Sequence, residues 1–221
     1  MSQPPTFDKV WEEKYSAGHQ ERYPWDCIVT FVFRNRPREK AITDTHVLEV
    51  GCGTGNNLWF AAREGFQVTG VDGSASAIQR AQERFASESL SGTFKVGDFT
   101  VLPLENEHFD LAIDRGSLSC CDFEDGARAI NEIHRVLKPG GRFFFSPYSA
   151  RMATRGLIAE LSEGSLEGAG QICFYSREDI VNVLRDKWTI LSIQHHEIMD
   201  ETEKPRNWNS FWNVVAEKKV V

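Results

Sequence analysis

The chain has 221 residues, of which 41% are hydrophobic and 26% are charged, an ordinary globular composition that argues against intrinsic disorder. It carries 32 acidic and 25 basic side chains, and the formal net charge of −7 disfavours nucleic acid and anionic membrane surfaces as partners. An odd number of cysteines without C-x-x-C spacing, a polar start and the lack of a long apolar run predict a cytoplasmic protein with no membrane span.

The first 45 residues predict an N-terminal extension of two short helices. Residues 7–16 carry apolar and aromatic side chains at helical spacing. A second apolar-rich stretch covers residues 25–35 and stops before Pro37, because proline does not continue a helix. We therefore expect two helices ahead of the main alternating pattern.

From residue 46 onwards, strand patterns alternate with helix patterns. The predicted strands are residues 46–50, 66–71, 93–96, 109–114 and 142–146. The predicted helices between them are residues 58–63, residues 74–86 with Ser74 as the N-cap, and residues 127–137. Alternation of this kind implies a parallel sheet that is covered by helices on both faces.

The last part of the chain has a different pattern. Residues 152–171 are rich in Gly, Ser and Glu, which predicts an inserted loop or lid, and a helix capped by Ser176 follows. Residues 189–198 and 209–218 predict two long strands that are joined by a polar stretch and form a hairpin. The expected fold is therefore α/β, with a mostly parallel seven-stranded sheet and a C-terminal antiparallel hairpin strand.

The most informative segment is VLEVGCGTGNN, in which a buried strand runs into Gly51, Gly53 and Gly55 and then into a helix. Glycine permits positive φ and a close approach of ligand to backbone, and a helix start offers free N–H donors. Asn56 breaks the nicotinamide fingerprint G-x-G-x-x-G/A, and no nucleoside-triphosphate loop is present. Taken alone, the segment predicts either a ligand-binding turn or a tight turn without a ligand.

Four motifs in the same order resemble those of the class I S-adenosylmethionine-dependent methyltransferases. The pattern E-x-G-x-G-x-G begins at Glu49, and Asp72 ends the second predicted strand. Asp98 follows the third strand, and the string LKPGG at residues 137–141 precedes the fifth. The matches cover about residues 46–146, and together they identify the chain as a member of this family.

The resemblance assigns roles to residues at the strand ends. It implies that Asp72 accepts hydrogen bonds from ribose hydroxyls, that Asp98 meets the adenine amino group beside Phe99, and that Asp114 lies near the methionine amino group. The implied cofactor is S-adenosyl-L-methionine. The implied cofactor-binding residues are Glu49, Gly51, Cys52, Gly53, Gly55, Asn56, Asp72, Asp98, Phe99 and Asp114.

The same resemblance implies the organisation of the chain. The expected fold is Rossmann-like and doubly wound, with one methyltransferase domain over residues 1–221. Its three parts are an N-terminal helical extension or lid at residues 1–45, a cofactor-binding core at residues 46–146, and a substrate-side insert with the closing hairpin at residues 147–221.

Candidate acceptor-binding residues come from three places in the sequence. The string DRGSL resembles the corresponding loop of thiopurine- and thiol-type methyltransferases and of several sugar and natural-product enzymes, so Arg115 is expected to contact an acidic or polar substrate. A surface ion pair is the alternative for Arg115. In the N-terminal extension, Tyr15 and Trp25 are expected either to form a lid over the cofactor or to fix the two helices to the core. In the segment after the fifth strand, Tyr148 is expected to be a wall or a general base.

No residue stands out as catalytic or metal-binding. The candidates for a general base are His19, Tyr148 and His195, of which none is preferred, and a wall role is favoured for Tyr148. No set of side chains has metal-ligand spacing. Adjacent Cys120 and Cys121 suggest either soft-metal chemistry or the packing of two small residues, and packing is favoured.

The expected function is methyl transfer to an oxygen or nitrogen of a small molecule such as a sugar, a sugar nucleotide or a secondary metabolite. A thiol-directed or protein methyltransferase is one alternative, and a non-catalytic cofactor-binding scaffold is another. The expected partner is a small-molecule substrate, with no nucleic acid and no membrane, in a monomer or a homodimer.

Overall fold

A single seven-stranded sheet organises the computed structural model, which describes residues 7–154, 170–199, 201–202 and 208–220. Its strands are β1 (His46–Val50), β2 (Gln67–Asp72), β3 (Thr93–Val96), β4 (Phe109–Asp114), β5 (Leu137–Phe145), β6 (Trp188–Met199) and β7 (Trp208–Lys218). They lie side by side in the order β3-β2-β1-β4-β5-β7-β6. The first five strands are parallel, and β7 runs antiparallel to both of its neighbours.

The topology confirms the predicted fold and shows how the closing hairpin is used. β7 pairs with β5, which places β6 at the edge of the sheet. All six residues of the central strand β4 are buried, as expected for a parallel strand that is covered on both faces. From β1 the chain adds β2 and β3 on one side and then crosses to add β4 and β5 on the other, so the order of the strands changes direction between β1 and β4. In open α/β sheets, ligands bind at such a point.

Seven helices of the described residues flank this sheet. They are α1 (Lys9–Ser16), α2 (Asp26–Asn35), α3 (Asn56–Arg63), α4 (Ala75–Ser87), α5 (Phe123–Val136), α6 (Ala150–Thr154) and α7 (Arg177–Leu184). None of the described helices is both long and apolar enough to cross a membrane.

Two hydrophobic cores lie on opposite faces of the sheet, and β5 contributes to both. Phe143 and Phe145 pack with Ile130 of α5 on one face, whereas Phe144 packs with Phe31 of α2 on the other. Successive side chains of a strand point to opposite faces, so three consecutive phenylalanines serve both layers. The run of aromatic residues thus fixes helices on both sides of the strand ends that carry the cleft.

The N-cap residues explain why the predicted start of α4 agrees with the structure and that of α5 does not. Ser74 caps α4 by accepting a hydrogen bond from Ala77 N, as predicted. The predicted start of α5 at residue 127 is wrong, because Asp122 accepts from Asp125 N and starts the helix at Phe123.

The predicted bounds of two other elements also need correction. β5 begins at Leu137 rather than at residue 142, because the LKPGG segment is extended and pairs with β4 through an irregular register. α3 begins at Asn56 rather than at residue 58, directly after Gly55. The predicted loop at residues 152–171 begins within α6, and residues 155–169 lie outside the described part of the chain.

Candidate functional site

The loop between β1 and α3 forms one wall of a cleft at the carboxyl ends of the strands. Gly51, Gly53 and Gly55 have φ values of +62°, +51° and +75°, in the left-handed region that glycine tolerates best. A Cβ on Gly51 would lie 2.5 Å from Ser117 Oγ, and a Cβ on Gly53 would lie 2.6 Å from the Tyr15 hydroxyl. Backbone conformation favours glycine at both positions, and space also requires it at Gly51, whereas at Gly53 a Cβ would displace only the end of the Tyr15 side chain.

Asp72 joins this loop to the start of α4. Its Oδ2 accepts a hydrogen bond from Gly53 N and its Oδ1 accepts one from Ser74 N, each at 2.8 Å. Burial raises the pKa of the carboxyl group, which is only 7% exposed, against these two backbone donors. The side chain is thus fixed at the end of β2, with the glycine loop on one side and the helix start on the other.

Two further carboxylates, Glu49 at the end of β1 and Asp114 at the end of β4, are fully enclosed. Glu49 Oε1 accepts from Asn57 Nδ2 at 2.6 Å, and Asp114 Oδ1 accepts from Leu118 N at 2.9 Å. The second oxygen of each group, Glu49 Oε2 and Asp114 Oδ2, is buried without a hydrogen-bond partner in the described structure. An orphaned buried oxygen is costly, so each of these oxygens suits a ligand that brings a positively charged donor, and Glu49 lines the larger cavity described below.

The electrostatics of these two carboxyl groups support the same conclusion. Burial raises the pKa of Glu49 to about 8, and the nearby charges of Asp114 and Asp72 push it in the same direction. Burial also raises the pKa of Asp114. A cationic group placed against either oxygen would stabilise the ionised form of that carboxyl group and lower its pKa.

Asp98 and Phe99 follow β3 at the edge of the cleft. Asp98 Oδ1 accepts hydrogen bonds from both the backbone N and the hydroxyl of Thr100, each at 2.7 Å, so the carboxylate is held in a tight turn. Phe99 lines a cavity of about 130 Å³ together with Gly73 and Cys120. The structure therefore brings Phe99 to the cleft and fixes the preceding residue, Asp98, in the adjoining turn.

The helix α1 covers the cleft from above. Its Tyr15 lies over Gly53, and Trp11 lines the cavity walls beside it. Glu12 accepts hydrogen bonds from the Ser74 and Ser76 hydroxyls at 2.6 and 2.5 Å, and these bonds lower its pKa. The N-terminal extension is therefore docked on the first turn of α4 as a cover over the glycine loop.

Two adjoining cavities of about 130 and 220 Å³ make up the cleft. They share the side chains or backbone of Trp11, Tyr15, Gly51, Arg115 and Tyr148. The predicted site residues that line one or both cavities are Tyr15, His19, Trp25, Glu49, Gly51, Cys52, Gly53, Asn56, Phe99, Arg115 and Tyr148. The predicted residues Gly55, Asp72, Asp98 and Asp114 shape the loop ends behind these walls.

Arg115 is held between aromatic rings. Its guanidinium carbon lies 4.2 Å from the centroid of the Trp25 ring and 5.0 Å from that of Phe211. Its Nε is buried without a hydrogen-bond partner, as is Oδ1 of Asn209, which lines the larger cavity. Sequence reasoning missed Phe211 and Asn209, because only the insertion of β7 beside β5 brings them to the cleft.

The three candidates for a general base are in different surroundings. Tyr148 lines both cavities, and burial raises the pKa of its hydroxyl to about 12, which fits the favoured wall role. His19 lines the larger cavity and packs on Tyr15, with 5.4 Å between ring centroids. His195 is not brought to either cavity: its Nε2 lies 2.9 Å from both Ser149 Oγ and Ser210 Oγ.

The described residues contain no group of three or more His, Cys, Asp or Glu side chains that could hold a metal ion. Cys121 is buried, whereas Cys120 lines the smaller cavity, and both remain free thiols. Burial raises the pKa of Cys120 to about 12, so this thiol is neutral near pH 7.

Comparisons with known proteins agree with the geometry of the cleft. Residues 47–141 match a family described as "Methyltransferase domain". Over 140 residues the chain is 32% identical to malonyl-[acyl-carrier protein] O-methyltransferase of Pseudescherichia vulneris, and this alignment covers 63% of this chain and 51% of that protein. Over 105 residues it is 33% identical to the ubiquinone biosynthesis O-methyltransferase of Coxiella burnetii, and this alignment covers 46% of this chain and 42% of that protein.

A solved structure extends the likeness to most of the fold. An S-adenosylmethionine-dependent methyltransferase from Methanosarcina mazei superposes with a TM-score of 0.68 at 24% identity, over 86% of this chain and 98% of that one. The chain spans about half the length of the curated relatives that it matches.

Proposed function

Because the chain belongs to the class I S-adenosylmethionine-dependent methyltransferases, we propose that it transfers a methyl group from S-adenosylmethionine to an oxygen of a small-molecule acceptor. The names of both relatives above, each an O-methyltransferase, support oxygen as the acceptor atom. A sugar, a sugar nucleotide or a secondary metabolite stays the prediction for the acceptor. The single-domain division and the set of site residues likewise stay predictions.

One observation carries the proposal: two buried carboxylate oxygens without partners lie at the ends of adjacent strands. Glu49 Oε2 and Asp114 Oδ2 accept no hydrogen bond from the described residues. The α-ammonium group of S-adenosylmethionine has three donors and a positive charge, which is the chemistry that these oxygens lack. We assign both residues to that ammonium group.

The other predicted cofactor residues are assigned by their positions around the same loop. Asp72 keeps acceptor capacity beyond its two backbone donors and is assigned to the ribose hydroxyls. Phe99 is assigned to one face of the adenine ring, with Asp98 near its amino group. The positive-φ glycines allow the ligand to approach the backbone closely.

When bound, S-adenosylmethionine supplies an electrophilic methyl group on a sulfonium. The chain contributes positioning, which can lower a barrier by roughly 7–11 kcal/mol in well-aligned cases. Trp11 and Tyr15 exclude water from the covered cleft. The Tyr148 hydroxyl stays protonated near neutral pH, so it orients an acceptor as a wall or a hydrogen-bond donor.

Calorimetric titration with S-adenosylhomocysteine tests the assignment. We expect micromolar binding to the wild type and about 10- to 100-fold weaker binding to Asp114→Asn, because a hydrogen bond to a charged group contributes about 1.5–3 kcal/mol. Asp110→Asn is the matched control, since this buried carboxylate lies on the same strand but pairs with Lys40 and Lys138 at its other end.

The control should bind as the wild type does once its folding has been verified by thermal unfolding. A wild type that does not bind millimolar S-adenosylhomocysteine would contradict the proposed function and would favour a scaffold role. Equal loss of affinity in both variants would mean that Asp114 acts only on the stability of the fold.

A further inference from the structure

Arg115 is a cation in the cleft wall that the assignment of the cofactor leaves unused. It lines both cavities, and its Nε is buried without a hydrogen-bond partner. Among the ion pairs of the described residues, none within 4.0 Å involves its guanidinium. A partly buried guanidinium with an unsatisfied donor is costly unless a ligand completes it.

The surroundings hold this guanidinium in place without using its N–H donors. The rings of Trp25 and Phe211 lie 4.2 and 5.0 Å from it, and cation–π contacts of this kind fix position while leaving hydrogen bonds to be made. Trp25 is itself fixed, because its indole Nε1 donates to Glu21 at 2.9 Å. Phe211 stacks on His196 with an interplanar angle of 2°. The donor is therefore preorganised before any acceptor binds.

The charges that line the cavities beside Arg115 are mixed. The larger cavity is also lined by Lys14 and Glu21, and the smaller one by Asp8. Glu21 and Asp8 would repel a phosphate ester with close to two negative charges more strongly than a carboxylate with one. Asn209 Oδ1, a buried acceptor without a partner, adds a place for a hydroxyl or N–H donor on the same ligand.

We infer that the methyl acceptor is a carboxylic acid whose carboxylate is bound by Arg115 between Trp25 and Phe211. This inference rests on the proposed function and specifies the substrate class for the same cleft. Arg115 acts here as a substrate-binding and specificity-determining residue. Arginine suits the role because its planar fork of N–H groups matches a carboxylate in two-point geometry.

The experiment uses matched pairs of acids and their neutral amides on the full-length protein with S-adenosylhomocysteine present. The probes are benzoate against benzamide and cinnamate against cinnamamide, with phenyl phosphate as the dianionic comparison, titrated to 10 mM by thermal shift and calorimetry. We expect the acids to bind roughly 10- to 100-fold more tightly than the amides and more tightly than the phosphate.

The variants separate the role of Arg115 from general charge and from folding. Arg115→Gln should lose the preference for acids while it retains the S-adenosylhomocysteine shift, and Arg115→Lys should retain only part of the preference. Arg63→Gln removes the same charge at a position that is 57% exposed and should behave as the wild type.

The inference is overturned if acids and amides bind alike, if no acid binds, or if the preference for acids survives in Arg115→Gln. It is also overturned if Arg115→Gln loses S-adenosylhomocysteine itself, because Arg115 would then serve the cofactor side of the cleft. A wild type that does not bind S-adenosylhomocysteine would contradict the proposed function rather than this inference about the acceptor.

Discussion

Replacing Gly51 by alanine tests the packing of the glycine loop quantitatively. The residue has a φ of +62°, and an L-residue in this left-handed region costs roughly 1–2 kcal/mol. The new Cβ would also overlap the Cβ of Ser117 and lie 2.5 Å from its Oγ, and rotation of the serine side chain does not move its Cβ, so rotation alone does not relieve the clash. Ser117 must therefore move as a whole.

That movement carries a second cost, because Ser117 Oγ lies 2.5 Å from Asp114 Oδ1. Losing a hydrogen bond to a carboxylate costs about 1.5–3 kcal/mol. We therefore expect Gly51→Ala to lower the free energy of unfolding by about 2.5–5 kcal/mol in total and to abolish measurable S-adenosylhomocysteine binding, since Asp114 is displaced with the serine.

Gly140→Ala provides the matched control for this prediction. Gly140 has a φ of +73°, yet a Cβ there would meet nothing within 4 Å. It should cost only the roughly 1–2 kcal/mol of backbone strain and should leave binding unchanged. Urea unfolding followed by fluorescence and circular dichroism measures both free energies. Equal destabilisation of the two variants would refute the claim that Ser117 packs against the loop.

Four other predictions concern Glu49, Glu12 and Tyr148. Burial raises the pKa of Glu49 to about 8, so between about pH 4.5 and pH 8 the native state holds a proton that the unfolded chain loses, and the free energy of unfolding falls as pH rises through this range. Glu49→Gln should flatten the urea-midpoint profile over the same range, and an unchanged slope would contradict the raised pKa of Glu49. S-adenosylhomocysteine brings an ammonium group to Glu49, so calorimetry at pH 7 in buffers of different ionisation enthalpy should show proton release that Glu49→Gln reduces. Glu12→Gln should speed dissociation of the ligand several-fold in stopped-flow displacement, because the bonds to Ser74 and Ser76 hold α1 closed, whereas unchanged dissociation would mean that α1 is no lid. Tyr148→Phe should keep kcat within about threefold and leave its pH profile unchanged once an acceptor is in hand, while a loss above about 100-fold would mark Tyr148 as a general base.

The parts of the site that lie close together in the sequence were predictable from it. The glycines of the β1–α3 loop and the carboxylates at the ends of β2 and β4 follow directly from strand ends in a parallel sheet. Each depends on a short motif in which a buried strand meets a turn. The same local logic placed the cap of α4 at Ser74 correctly.

Contacts between distant segments could not be predicted in this way. Arg115 meets Trp25 from the N-terminal extension and Phe211 from the last strand, and neither pairing follows from spacing. The docking of Glu12 on the start of α4 likewise depends on how the extension folds back over the sheet. His195 was a candidate because strand side chains alternate, but its actual face depends on the register of β6 against β7.

A crystal structure of the protein with S-adenosylhomocysteine would show directly where the ammonium group binds. We expect the ligand's ammonium nitrogen to lie within hydrogen-bonding distance of Glu49 Oε2 and Asp114 Oδ2, with the ribose hydroxyls at Asp72. A ligand whose ammonium group lies away from both carboxylates, or a cleft that stays empty at saturating concentration, would contradict this expectation.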